Sequence, residues 1–61
     1  MEFSGSGESS VQETAVEMAV RNAASKAASS GYGNCQLKSY HYYPWSGYWR
    51  ASAFLNCSKV V

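Results

Sequence analysis

Apolar and polar residues follow two different periods along this chain, and the change of period divides it. From Ala15 to Ala27 small apolar residues recur at helical spacing. Ala15, Val16, Ala19, Val20, Ala23 and Ala27 fall on one side of a wheel turned about 100° per residue, and Glu13, Glu17, Arg21 and Ser25 form a polar stripe. Ser10 with Glu13 three residues later has the spacing of a reciprocal capping box, so a helix is expected over residues 10–30. Ser29, Ser30 and Gly31 end it, with Gly31 suited to a left-handed cap. Glu17 precedes Arg21 by one turn, the favourable order for an exposed ion pair. The buried stripe is mostly alanine. Such a helix fills little volume, but it can lie close against a sheet.

From Asn34 onward the residues are those of strands, Tyr, Trp, Phe and Leu, interrupted once by Pro44-Trp45-Ser46-Gly47. A hairpin over 34–58 is expected. Folded about Ser46, it would oppose residues whose numbers sum to 92: Tyr43 with Trp49, His41 with Ala51, Ser39 with Ala53, Leu37 with Leu55, and Cys35 with Cys57. In that register the odd positions from 35 to 57 meet the alanine face of the helix, and the even positions, including Tyr40, Tyr42, Tyr48 and Phe54, form the other face.

The opening residues, Met1 to Ser10, hold four Ser and two Gly, with Phe3 as the large apolar side chain after Met1. They admit two readings. Residues 1–9 are either a flexible, tag-like Gly/Ser segment, or they contain a short strand, Glu2 to Ser6, with Phe3 turned inward and Gly5 and Gly7 easing the turn into the helix.

Together these elements make one small domain over residues 1–61. Its class is α+β: a short N-terminal strand, one α-helix and a C-terminal antiparallel β-hairpin, β-α-β-β, with the helix packed on one sheet face. A chain of 61 residues buries only about 60% of its unfolded surface, so its core needs a crosslink, a metal or a partner. Five Lys and Arg against four Asp and Glu exclude a polybasic arm or an acidic tail, and the chain reads as a soluble, mature domain without a membrane-spanning run.

The two cysteines, Cys35 and Cys57, are expected to close the hairpin as a cross-strand disulfide, which implies a secreted or periplasmic setting. A zinc site would want four ligands, and a thiolate–His41 pair would need groups that lie about 20 Å apart along one strand to meet. No metal site and no catalytic residues are therefore expected. His41 reads as a rim residue on the helix-facing side. Tyr40, Tyr42, Tyr48 and Phe54 would leave an aromatic patch larger than a monomer commonly exposes, so a second copy of the chain is expected to cover it as a homo-oligomer. The alternative is a ligand platform, with Tyr and Trp faces stacking on a flavin, a sugar ring or unpaired bases, and Lys38 and Arg50 meeting phosphate. A net charge of +1 makes nucleic acid the weaker partner.

The short strand Glu2-Phe3-Ser4-Gly5, the Gly7-Glu8-Ser9-Ser10 lead into an Ala-rich helix through Ala28, and the closing hairpin resemble the dodecins in order and size. That resemblance implies a small β-α-β-β subunit in a hollow oligomer that stacks flavin as a cofactor on a strand Trp; the indoles of this chain are Trp45 and Trp49. The opening also looks like that of bacterial envelope proteins that place a Gly-Ser-Gly strand before an Ala-rich helix. From the residues themselves the leading expectation is a non-catalytic secreted or envelope binding or assembly module, without a cofactor, that self-associates through its aromatic sheet face.

Overall fold

A computed structural model describes residues 1–59 as β1 (Glu2–Ser9), α1 (Gln12–Ser29), β2 (Tyr32–Trp45) and β3 (Tyr48–Lys59). The strands form one antiparallel sheet in the order β1-β3-β2, and α1 lies across one face of it, so the fold is α+β with one helix on a three-stranded sheet. The opening residues are thus a strand along the whole of Glu2–Ser9, not a flexible segment.

Gly5 and Gly7 do not turn the chain. They sit mid-strand opposite Ala53 and Ala51, and both are buried beneath α1. A Cβ added at Gly5 would stand 2.4 Å from the Ala23 nitrogen and 2.5 Å from the Ala19 oxygen; at Gly7 it would stand 2.6 Å from the Ala15 oxygen. The helix backbone therefore rests on bare strand backbone. The alanine stripe follows from this contact. Ala15, Ala19, Ala23 and Ala27 are fully buried, against Ala51 and Ala53 towards one end of the sheet and Leu55 and Cys57 towards the other. Val16, Val20, Phe3 and Trp49 flank them half-buried, with Phe3 turned inward.

The helix begins later than the capping box requires. Val11 is the N-cap, in extended conformation and without a side-chain cap, and the Ser9 hydroxyl accepts a hydrogen bond from the Val11 N–H instead. Ser10 cannot cap a helix that starts at Gln12, because it stands one residue before the N-cap. At the other end Gly31 takes φ +84° and its N–H donates to the Ala28 carbonyl, the left-handed cap its position implies. Arg21 and Glu17 pair at 2.8 Å.

The hairpin holds the register summing to 92 only at its open end, where Cys35 pairs with Cys57 and Leu37 with Leu55. Beyond Leu37 the strand β2 advances two residues while β3 advances one, so Lys38 is an extra residue, a β-bulge. From there Ser39 pairs with Phe54, Tyr40 with Ala53, Tyr42 with Ala51 and Trp45 with Tyr48. The cause lies in the turn. Ser46 (φ +48°) and Gly47 (φ +84°) form a two-residue turn of the type whose twist suits a hairpin, in place of a loop centred on Ser46. One residue of slip moves every side chain of the affected stretch to the opposite face.

If close backbone packing governs stability, Gly5→Ala should cost about 3 kcal/mol, the upper end for overpacking. Gly31→Ala, where the added Cβ meets nothing within 4 Å and only φ is unfavourable, should cost about 1 kcal/mol. Urea denaturation of the two variants measures the contrast; equal losses would contradict the close approach.

Candidate functional site

The bulge redistributes the aromatic residues. The odd positions of β3 from Trp49 to Cys57 do face α1, as do Cys35 and Leu37. Ser39, His41 and Tyr43 do not; they lie on the outer face of the sheet. Tyr40 and Tyr42 take their place on the helix side, opposite Ala53 and Ala51, while Tyr48 and Phe54 stay on the outer face. The four residues expected to form one aromatic patch are thus split between two faces. His41 stands edge-on to Phe54, with ring centroids 6.2 Å apart, on the side away from the helix.

The helix covers β1 and β3 and leaves β2 overhanging as an edge strand. From Gln36 to Trp45 every residue of β2 is exposed. Tyr40 and Tyr42 are 48% and 45% exposed, and their rings stack on each other at 6.2 Å and 20° beside the first turn of α1. Tyr42 also meets Trp49 edge-on at 5.9 Å. Trp49 is half-buried and packs against Ala15, Ala19, Ala51 and Ala53. Trp45, at the hairpin tip, is half exposed but carries the Arg50 guanidinium 5.5 Å from its ring centroid.

Backbone parity decides what the β2 edge offers. In a two-residue hairpin the flanking pair, here Trp45 and Tyr48, is the hydrogen-bonded one, and paired positions then alternate. Tyr43 and His41 therefore direct N–H and C=O towards β3. Tyr42 and Tyr40 direct theirs outward, and Pro44 lacks the N–H that would otherwise point outward with them.

The outer face is ordered by charge. Lys38 Nζ donates to Glu2 Oε2 at 2.9 Å, reaching over the central strand from one edge of the sheet to the other. Arg50 donates to Glu8 Oε1 through Nε at 3.0 Å and lies at 2.8 Å through Nη2. The hydrogen bond from Lys38, and then its charge, holds the Glu2 carboxyl below its ordinary value, and the bond to Glu8 raises the Arg50 guanidinium further above its own. Both cations expected to meet phosphate are thus already matched to carboxylates. Sequence reasoning missed Glu8 and Glu2 as their partners because the register of β1 on β3 has no local signal; opposite charges facing each other at Glu8 and Arg50 were the available clue.

Cys35 and Cys57 form the expected disulfide, with Cα atoms 4.0 Å apart and Cys57 buried among Ala23, Ala27 and Leu55. No thiol is free among the described residues, and no group of three or more His, Cys, Asp or Glu converges there. No helix among the described residues is long and apolar enough to cross a membrane. Comparison of the chain with known protein families, curated sequences and solved structures finds no match.

The Glu2–Lys38 bridge should be visible by titration. A carboxyl whose pKa is lowered in the folded state adds stability above its unfolded value and loses that contribution as pH falls through the lowered one, here in the range below 4.5. Lys38→Met should return the Glu2 carboxyl towards its ordinary value in an NMR titration of the side-chain carbon; an unchanged midpoint would show that the bridge does not form in solution.

Proposed function

We propose that this protein is a non-catalytic assembly module of an oxidising compartment, secreted or periplasmic, that pairs with a second copy of itself along the open edge of β2. One observation carries the reading: a 14-residue edge strand with a single charged side chain, Lys38, among whose outward-directed backbone groups are those of the half-exposed Tyr40 and Tyr42. Natural edge strands are commonly blunted by charge, by brevity or by cover, and such an edge left open is a template for another strand. Here Pro44 and the Lys38 bulge bracket the open stretch, limiting pairing to the segment between them.

The core gives the association an energetic reason. Among the described residues Cys57 is the largest side chain buried to less than 2% exposure, the rest of the interior being mostly alanine and glycine, so one copy removes little apolar area from water. Antiparallel pairing about a two-fold axis would join two three-stranded sheets into one of six strands, and would place Tyr40 and Tyr42 of each copy against the other. The surface involved is an edge flanked by aromatic rings, not the sheet face that the pattern of residues suggested. The disulfide supports the compartment, since such bonds persist where the surroundings are oxidising.

Sedimentation equilibrium tests this directly. The chain should run at twice its 6.7 kDa, and Tyr42→Lys, which sets like charges close together across the two-fold axis while leaving the bonds to β3 intact, should return it to a single-chain mass. A single-chain mass for the unaltered protein at about 100 μM, well above the micromolar dissociation constants of ordinary specific pairs, would overturn the proposal.

A further inference from the structure

We propose that the outer face of the sheet carries a binding site for one neutral sugar ring, in the cleft between Tyr43 and the Glu8–Arg50 pair. The cleft holds about 240 Å³ and is walled by Ser6, Glu8, Tyr43, Arg50 and Ser52, with the Gly7 and Ala51 backbone as floor. That is below the ~300–1,000 Å³ of sites for drug-sized ligands, which limits the occupant to a single ring.

Charge narrows the class of ligand. Glu8 and Arg50 lie 2.8 Å apart and neutralise each other, so an anion meets the carboxylate and a cation meets the guanidinium. An apolar ligand would strip water from both without replacing its hydrogen bonds. A neutral polyol does neither: adjacent hydroxyls can donate to the carboxylate and accept from the guanidinium, and the Ser6 and Ser52 hydroxyls can serve as further donors or acceptors. Tyr43 adds an apolar ring for the C–H face of a pyranose.

The parts are held before any ligand arrives. Arg50 is placed between Glu8 on β1 and the Trp45 ring on β2, and Trp45 is in turn edge-on to Tyr43 at 6.3 Å. Three strands thus hold one constellation, which lowers the ordering cost of binding. None of these groups belongs to the Tyr40–Tyr42 edge, so the site and the self-association stand or fall separately.

The test is an NMR titration of the isotopically labelled protein with methyl β-glucoside, methyl β-galactoside and N-acetylglucosamine, alongside retention on cellulose and on chitin. Saturable shifts at Ser6, Glu8, Tyr43, Arg50 and Ser52 with about millimolar affinity are expected for a free sugar, and retention on a polymer without those shifts would assign the ring to a longer glycan. In either arm Glu8→Gln should weaken binding about tenfold or more, through loss of a charge-assisted hydrogen bond. Ser52→Ala, which leaves the ion pair intact, should weaken it several-fold. The proposal is overturned by no saturable shift up to about 100 mM with no retention on either polymer, by shifts confined to Tyr40 and Tyr42, or by equal or stronger shifts at the cleft with inorganic phosphate.

Discussion

The approach of the α1 backbone to Gly5 and Gly7 of β1 is the contact on which the remainder of the fold depends. A helix can come this close to a strand only where both surfaces are nearly free of side chains, and the chain provides glycine on one and alanine every fourth residue on the other. The gain is dense packing with little volume. The cost is an interior with little room for large residues beyond Leu55, so the tyrosines and Trp45 are carried by the hairpin and stay exposed or half-buried. A core so thin needs support from elsewhere, and the disulfide joining β2 to β3 supplies it, at roughly 3 kcal/mol for a loop of this size on the chain-entropy model.

The hairpin satisfies two constraints of opposite parity. The Cys35–Cys57 bond demands partners whose numbers sum to 92, and the Ser46-Gly47 turn demands a sum of 93. A strand pair cannot change parity without an extra residue, and Lys38 is that residue. The bulge therefore does more than relieve a mismatch. It moves Tyr40 and Tyr42 to the helix side of the open edge and moves Tyr43 and Trp45 to the outer face beside Arg50. Both proposed surfaces exist because of it.

Much of the fold was legible in the residues. The helix was marked by its alanine period and by Gly31, the hairpin by Pro44 to Gly47, and the disulfide by two cysteines that fall opposite each other when the hairpin closes. What could not be read was long-range. Gly5 and Gly7 are the same letters whether they bend a chain or admit a helix; only the partner decides, and the partner lies eight or more residues away. The capping box at Ser10 and Glu13 matched a local motif that lost to the chain path set by β1, which runs to Ser9 and delays the helix to Gln12. Faces on β2 were misassigned beyond Leu37 because a bulge leaves no mark in the alternation of Ser39 to Tyr43, where nearly every residue is tolerable on either side of a half-exposed edge. The four aromatic residues expected on one face are divided between two for that one reason. The two cations, Lys38 and Arg50, pair instead with carboxylates on β1, whose register no local pattern specifies.

The shift of register at Lys38 is the claim from which the composition of both surfaces follows, and proton NMR tests it most directly. In an antiparallel sheet the α-protons of facing residues in non-hydrogen-bonded pairs are among the closest in the structure. Strong α-proton contacts are expected between Tyr42 and Ala51 and between Tyr40 and Ala53. Contacts of His41 with Ala51 and of Ser39 with Ala53 would instead mean a hairpin without the bulge, with Tyr40 and Tyr42 on the outer face, and would contradict it.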